Sequence, residues 1–153
     1  GTDAEAFQRM TEQFIERHRL GDDTVYPRRA SAPEAAAASG HDAHAGHGGE
    51  VVAMAGADAG GPIEIPMVAG RWFYLPAKLR LDAGETYRLR MLAVDVSHGA
   101  SIQLGRGGRM ARLRPGRETQ LELSFREPGR YFMYCTVYCG AAHDLMQATI
   151  EVV

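Results

Sequence analysis

The sequence predicts an all-β fold, a Greek-key sandwich or barrel, preceded by an amphipathic N-terminal helix and a flexible linker. Three observations carry that expectation. From residue 62 onward, apolar residues recur at every second position. Turn-forming tripeptides separate these runs. Before residue 62 the pattern is first helical and then featureless.

Residues 1–30 are expected to hold the helix and its connector. Over 4–20, Phe7, Met10 and Phe14 fall at i, i+3 and i+7 with Ile15 beside them, and charges fill the other faces. Asp3 is the N-cap candidate and Gly21 the stop. The single apolar stripe must meet either the main domain or a juxtamembrane or partner surface. Residues 31–61 are expected to be linker. Ala and Gly fill 17 of the 30 positions from 31 to 60, which leaves little to bury. Within it, His41, His44 and His47 are spaced to grip a divalent metal weakly. A solvated tract and a copper-capturing tract both fit that spacing.

Residues 62–153 are expected to be the folded domain. Tyr87, Leu89 and Met91 alternate with arginines; Leu121, Leu123 and Phe125 alternate with polar residues, and so do Ala148, Ile150 and Val152. Turns are expected at Asp82-Ala83-Gly84, Arg114-Pro115-Gly116 and Glu127-Pro128-Gly129. Further strands are expected near 63–68, 71–75, 78–81, 99–104 and 129–134. Many short strands in about 90 residues suit a small sandwich.

Composition excludes some classes of function. The 153 residues are 45% hydrophobic and 24% charged, with a mean hydropathy of −0.26. No apolar run approaches the roughly 18 residues of a membrane span. The net charge of −2 argues against nucleic acid as a partner. That charge is uneven. Residues 1–61 carry ten acids and five bases, and residues 62–153 carry nine and twelve, so −5 and +3 sum to −2. Arg106, Arg109, Arg112, Arg114 and Arg117 cluster in what reads as one loop, either solvated or a docking patch for an acidic partner.

The chemistry concentrates in Cys135-Thr-Val-Tyr-Cys139-Gly-Ala-Ala-His143-Asp-Leu-Met146, just before the last strand. Soft sulfur ligands with imidazole favour copper. Upstream, His98 stands in Asp95-Val-Ser-His98-Gly99, directly after a strand, and a Greek key can bring two such loops to one pole. One blue-copper ion would be satisfied by His98, Cys139, His143 and Met146, leaving Cys135 over. Two coppers bridged by both thiolates use every donor. A Cys135–Cys139 disulfide would instead close a small, strained ring.

The pattern C-x3-C-x3-H-x2-M after D-x-x-H-G resembles the CuA domain of cytochrome c oxidase subunit II. Arg71-Trp-Phe-Tyr-Leu-Pro76, Asp82-Ala-Gly-Glu85, Arg114-Pro-Gly-Arg117 and Pro128-Gly129 follow the same family order. The resemblance implies a cupredoxin fold holding two copper ions. Cys135 and Cys139 would bridge them. His98 and Met146 would serve one copper, and His143 with the Val137 carbonyl the other. It also implies an electron relay on the periplasmic face of a bacterial inner membrane, as a soluble domain of a membrane-anchored subunit. Electrons would come from a soluble donor such as cytochrome c and pass to haem in oxidase subunit I.

Two positions depart from the family. Val137 stands where mitochondrial-type subunits carry a glutamate that helps bind magnesium, so that role is not expected here. Met110-Ala-Arg-Leu-Arg114 replaces acidic residues used to dock a basic cytochrome c, so an acidic or apolar donor contact is expected, over Trp72 and Phe73 if Trp72 is not simply core. Copper delivery by a thioredoxin-fold chaperone fits C-x3-C poorly, since only 14 residues follow Cys139. A nitrous oxide reductase would need a further propeller domain, and a structural zinc site would leave Met146 unused. A mononuclear cupredoxin would leave Cys135 unused.

Overall fold

The computed structural model describes residues 1–29, 60–104 and 107–153. The expected linker as far as residue 59, with His41, His44 and His47, lies outside the described residues, as does Arg106. Among the described residues one helix, α1 (Ala4–His18), precedes nine strands: β1 (Ile63–Gly70), β2 (Phe73–Leu75), β3 (Lys78–Leu81), β4 (Thr86–Ala93), β5 (His98–Gln103), β6 (Gly108–Leu113), β7 (Thr119–Ser124), β8 (Gly129–Tyr134) and β9 (Gln147–Val152).

They form two sheets, ordered β2-β1-β4-β7 and β3-β9-β8-β5-β6. The β1–β4 and β3–β9 pairs are parallel and the others antiparallel. Between the sheets lie the side chains that alternation singled out: Tyr87, Leu89 and Met91 of β4, Leu121 and Leu123 of β7, and Ala148, Ile150 and Val152 of β9. On the outer face of the first sheet, Arg88 sits between Glu64 and Glu122, at 3.1 and 3.2 Å. Their register places them opposite one another across three strands.

The helix stripe meets the domain. Asp3 caps α1, its Oδ1 accepting from the Glu5 and Ala6 amides at 3.0 and 3.2 Å. Phe7 packs on Val68 and Leu92, while Phe14 joins the main core. This explains why β1 is buried on both faces from Ile65 to Gly70. Ile65, Met67 and Ala69 face the other sheet, and Val68 faces the helix. After α1 the chain runs along edge strand β3: the Val25 amide donates to the Lys78 carbonyl and the Arg80 amide to that of Val25, both at 2.9 Å. That edge is therefore not left open.

The strand expected near 71–75 is present as β2 but starts at Phe73, after a turn at Arg71-Trp72, because β1 continues to Gly70 and folds straight back. One loop expectation needs correction. The arginine-rich stretch expected as a loop contains strand β6, hairpinned on β5 with Leu113 opposite His98. Of that strand only Leu113 is buried, so no apolar alternation announces it.

Candidate metal centre

Three connections meet at one end of the sandwich: the β1–β2 turn, the β4–β5 loop and the β8–β9 loop. The last carries Cys135 through Met146, with a single 3-10 turn at His143–Leu145. It is pinned internally by the Cys135 amide donating to the Met146 carbonyl at 3.3 Å and the His143 amide to the Gly140 carbonyl at 3.1 Å.

All six expected donors come together. The Cys135 and Cys139 sulfurs are 3.6 Å apart, and both cysteines are free. His98 Nδ1 lies 4.0 Å from Cys135 Sγ, and His143 Nδ1 lies 3.6 Å from Cys139 Sγ. Met146 Sδ is 3.9 Å from Cys139 Sγ, and the Val137 carbonyl accepts from the Cys135 thiol at 3.1 Å. His98, Cys135, Cys139 and Met146 are buried and His143 half-buried. A sulfur–sulfur spacing of 3.6 Å is under twice a metal–thiolate bond of about 2.3 Å, so one ion reaches both sulfurs. Softness, spacing and burial of this donor set fit copper.

Other residues set the orientation of these groups. Asp95 Oδ1 accepts from His98 Nε2 at 2.8 Å. The carboxylate also accepts from the Arg71 amide at 2.7 Å and the Val96 amide at 2.6 Å. Burial opposes its ionisation, but the hydrogen bonds from His98 and the two amides outweigh burial and hold Asp95 below the usual carboxylate range. An ionised carboxylate only accepts, so the hydrogen-bond network assigns the ring proton to Nε2 and leaves Nδ1 free to ligate.

Trp72 Nε1 donates to the Cys139 carbonyl at 3.1 Å. The indole lies against Gly140, whose φ of +124° and missing Cβ let the ring approach. Trp72 is thus neither core nor free surface: it is 39% exposed and braces the cysteine loop. The buried Tyr74 hydroxyl donates to the Gly99 carbonyl at 2.6 Å, and the Gly99 amide points at Cys135 Sγ at 3.4 Å. A side chain at Gly99 would strike Thr136, whose amide would lie 2.9 Å from its Cβ.

Burial pushes the Cys139 thiol up to about 11, and the neighbouring Cys135 adds to the effect. Burial, with Cys135 and Cys139 nearby, also drives the Tyr74 phenol far above its ordinary value. The pocket thus disfavours bare negative charge, and a cation relieves this by neutralising the thiolates.

Sequence reasoning did not assign the roles of Asp95, Tyr74 and Gly99, nor the indole–carbonyl bond of Trp72. An acid three residues before a candidate ligand histidine was the available signal for Asp95. Nothing local signals the Trp72 contact, which spans 67 residues.

No protein-family model matches the chain. Among known proteins, cytochrome c oxidase subunit 2 of Thermus thermophilus is 30% identical over 79 residues, covering 52% of this chain and 57% of that protein. A further cytochrome c oxidase subunit 2 of Thermus thermophilus is also 30% identical over 79 residues, with 46% of its length covered. The chain spans about half the length of these curated relatives. Among solved structures, the periplasmic domain of subunit II of cytochrome oxidase of Bradyrhizobium japonicum aligns with TM-score 0.51 at 18% identity, over 59% of this chain and 83% of that one. Auracyanin A, a blue copper protein of Chloroflexus aurantiacus, aligns with TM-score 0.51 at 17% identity, over 61% of this chain and all of that one. At such identities these two alignments speak for the fold. The chain has the cupredoxin fold and is similar in sequence to cytochrome c oxidase subunit 2.

Proposed function

We propose that this chain is an electron-transfer domain with a dinuclear CuA centre, held by His98, Cys135, Val137, Cys139, His143 and Met146. The observation that carries the reading is the pairing of each sulfur with a different imidazole. Cys135 faces His98, and Cys139 faces His143. A mononuclear site would leave Cys135 buried among the donors without a task.

A copper pair bound there would supply one-electron exchange shared between two metals. The chain's own residues supply the rest. Asp95 orients His98, and the backbone bonds of the 3-10 turn hold the cysteine loop that carries His143. Burial keeps water from the sulfurs. Six protein donors leave no open position, so the site relays electrons and does not bind substrate.

Similarity to oxidase subunit 2 supports a place in a cytochrome oxidase complex, passing electrons to haem in subunit I on the periplasmic side of a bacterial inner membrane. Among the described residues no helix is long and apolar enough to cross a membrane, and the reading assigns attachment to an anchor or the partner subunit. In domain terms, residues 62–153 form the copper domain, 1–30 the helix and connector, and 31–61 the linker.

Copper analysis of the reconstituted chain tests the reading, together with titration of the two thiols. Two coppers per chain, with both thiols protected from a thiol reagent, are expected. One copper with one thiol still reactive would contradict it and favour the mononuclear alternative.

A further inference from the structure

Resting on that reading, we propose that the copper pole docks an electron donor with an acidic contact face around an apolar centre. The apolar part surrounds the ligands. Tyr138 is 77% exposed with its ring tilted against His143 at 5.6 Å between centroids, and Leu145 is 78% exposed beside Met146. Trp72 joins them through its bond to the Cys139 carbonyl. Large apolar side chains left open around a redox site mark a contact surface.

The charge beside this surface has one sign. Leu113 pairs with His98 and Arg112 with Gly99, so β6 ends at the copper pole. Directly paired residues project from the same face of a sheet. Gly99 lies against Thr136 of the cysteine loop, and Arg112 is its register partner on that face of the sheet. Pro115 bridges Ala93, and the Arg117 amide closes a turn on the Arg114 carbonyl at 3.2 Å. That turn sets Arg114 and Arg117 at the same end.

Arg112, Arg114 and Arg117 are exposed and form no ion pair among the described residues. The acids of these loops are mostly committed. Asp95 is held by His98 and Arg71, and Glu118 by Arg90. Of the acids carried by these loops, only Asp144 faces solvent without an ion pair among the described residues, and Asp3, brought beside the turn by the Thr2 amide donating to the Gly116 carbonyl at 2.9 Å, caps α1. Three free guanidinium groups against one free carboxylate attract an acidic partner and repel a basic one.

Stopped-flow reduction of the copper-loaded chain tests this with two probes of one fold and opposite charge: reduced mitochondrial cytochrome c, which is basic, and the same protein exhaustively succinylated, which is acidic. The acidic probe should react faster at low salt and slow about tenfold on raising ionic strength past the screening range. The triple variant Arg112→Glu, Arg114→Glu, Arg117→Glu should abolish that acceleration and help the basic probe. A basic probe that is fast and slowed by salt overturns the proposal, as does a triple variant with unchanged salt dependence.

Copper content and spectrum are recorded first, so a chain that fails to load counts against the CuA reading and not against the docking surface. In that event the same charge comparison is made as binding of the two oxidised probes to the metal-free chain. Equal binding of both, or preference for the basic one, overturns the proposal.

Discussion

Replacing Asp95 with alanine isolates what a residue outside the donor set contributes to this site. The substitution removes the acceptor of His98 Nε2–H, which lies at 2.8 Å on a fully buried ring. The Arg71 and Val96 amides are near solvent and recover water in its place. The imidazole N–H does not, and a buried donor left unmade costs about 1–3 kcal/mol. At about 4 °C per kcal/mol for a domain of this size, the metal-free chain should melt roughly 4–12 °C lower. Copper affinity should fall separately, because the ring loses both its fixed tautomer and its orientation. Losses of this kind run to about 10–100-fold, or about 1.4–2.7 kcal/mol. Competition with a chelator of known affinity measures the second effect and calorimetry the first. Asp95→Asn keeps an acceptor for His98 and should recover most of the affinity. If Asp95→Ala melts lower but binds copper as tightly as the parent, the carboxylate is a structural brace only and the reasoning fails.

Three more outcomes follow from the same contacts. Cys135→Ser should halve the copper content and convert the signal to that of a single copper nucleus; retention of two coppers would show that Cys135 is not a bridge. Phe7→Ala empties the contact with Val68 and Leu92 and should cost about 3–5 kcal/mol in denaturant unfolding, with the copper spectrum unchanged. A loss below about 1 kcal/mol would mean that α1 is not docked in solution. Glu118 is bound two-fold by Arg90 at 2.7 and 3.0 Å, and Arg90 holds its carboxyl below the ordinary range despite partial burial. A depressed folded pKa adds stability that is complete above the unfolded value, near 4.3, and lost as pH falls through the folded value. Glu118→Gln should therefore be less stable than the parent at neutral pH, with the gap closing in acid. A gap that stays constant with pH would rule out the carboxylate as its cause.

What could be read from the sequence was whatever is local. The Cys135–Met146 donors sit in twelve consecutive residues, so their types and spacing were visible at once. Strands β4, β7 and β9 show clean alternation because each has one face in the core. Strand β6 was hidden because it is an edge strand whose residues, Leu113 apart, are not buried. The docking of α1 was also hidden: a stripe says that burial is required, not what provides it. His98 joins the cysteines across 37 residues, a junction that the expected Greek key allowed and the resemblance made specific. The bond from Trp72 to the Cys139 carbonyl and the relay from Tyr74 through Gly99 to Cys135 depend on folded geometry. No period or motif encodes them.

The central claim is that two coppers share two thiolates. Electron paramagnetic resonance of the partly oxidised, copper-loaded chain tests it most directly. One unpaired electron spread over two equivalent copper nuclei should give a hyperfine pattern from both. A pattern from one copper nucleus, in a sample that contains two coppers per chain, would contradict it.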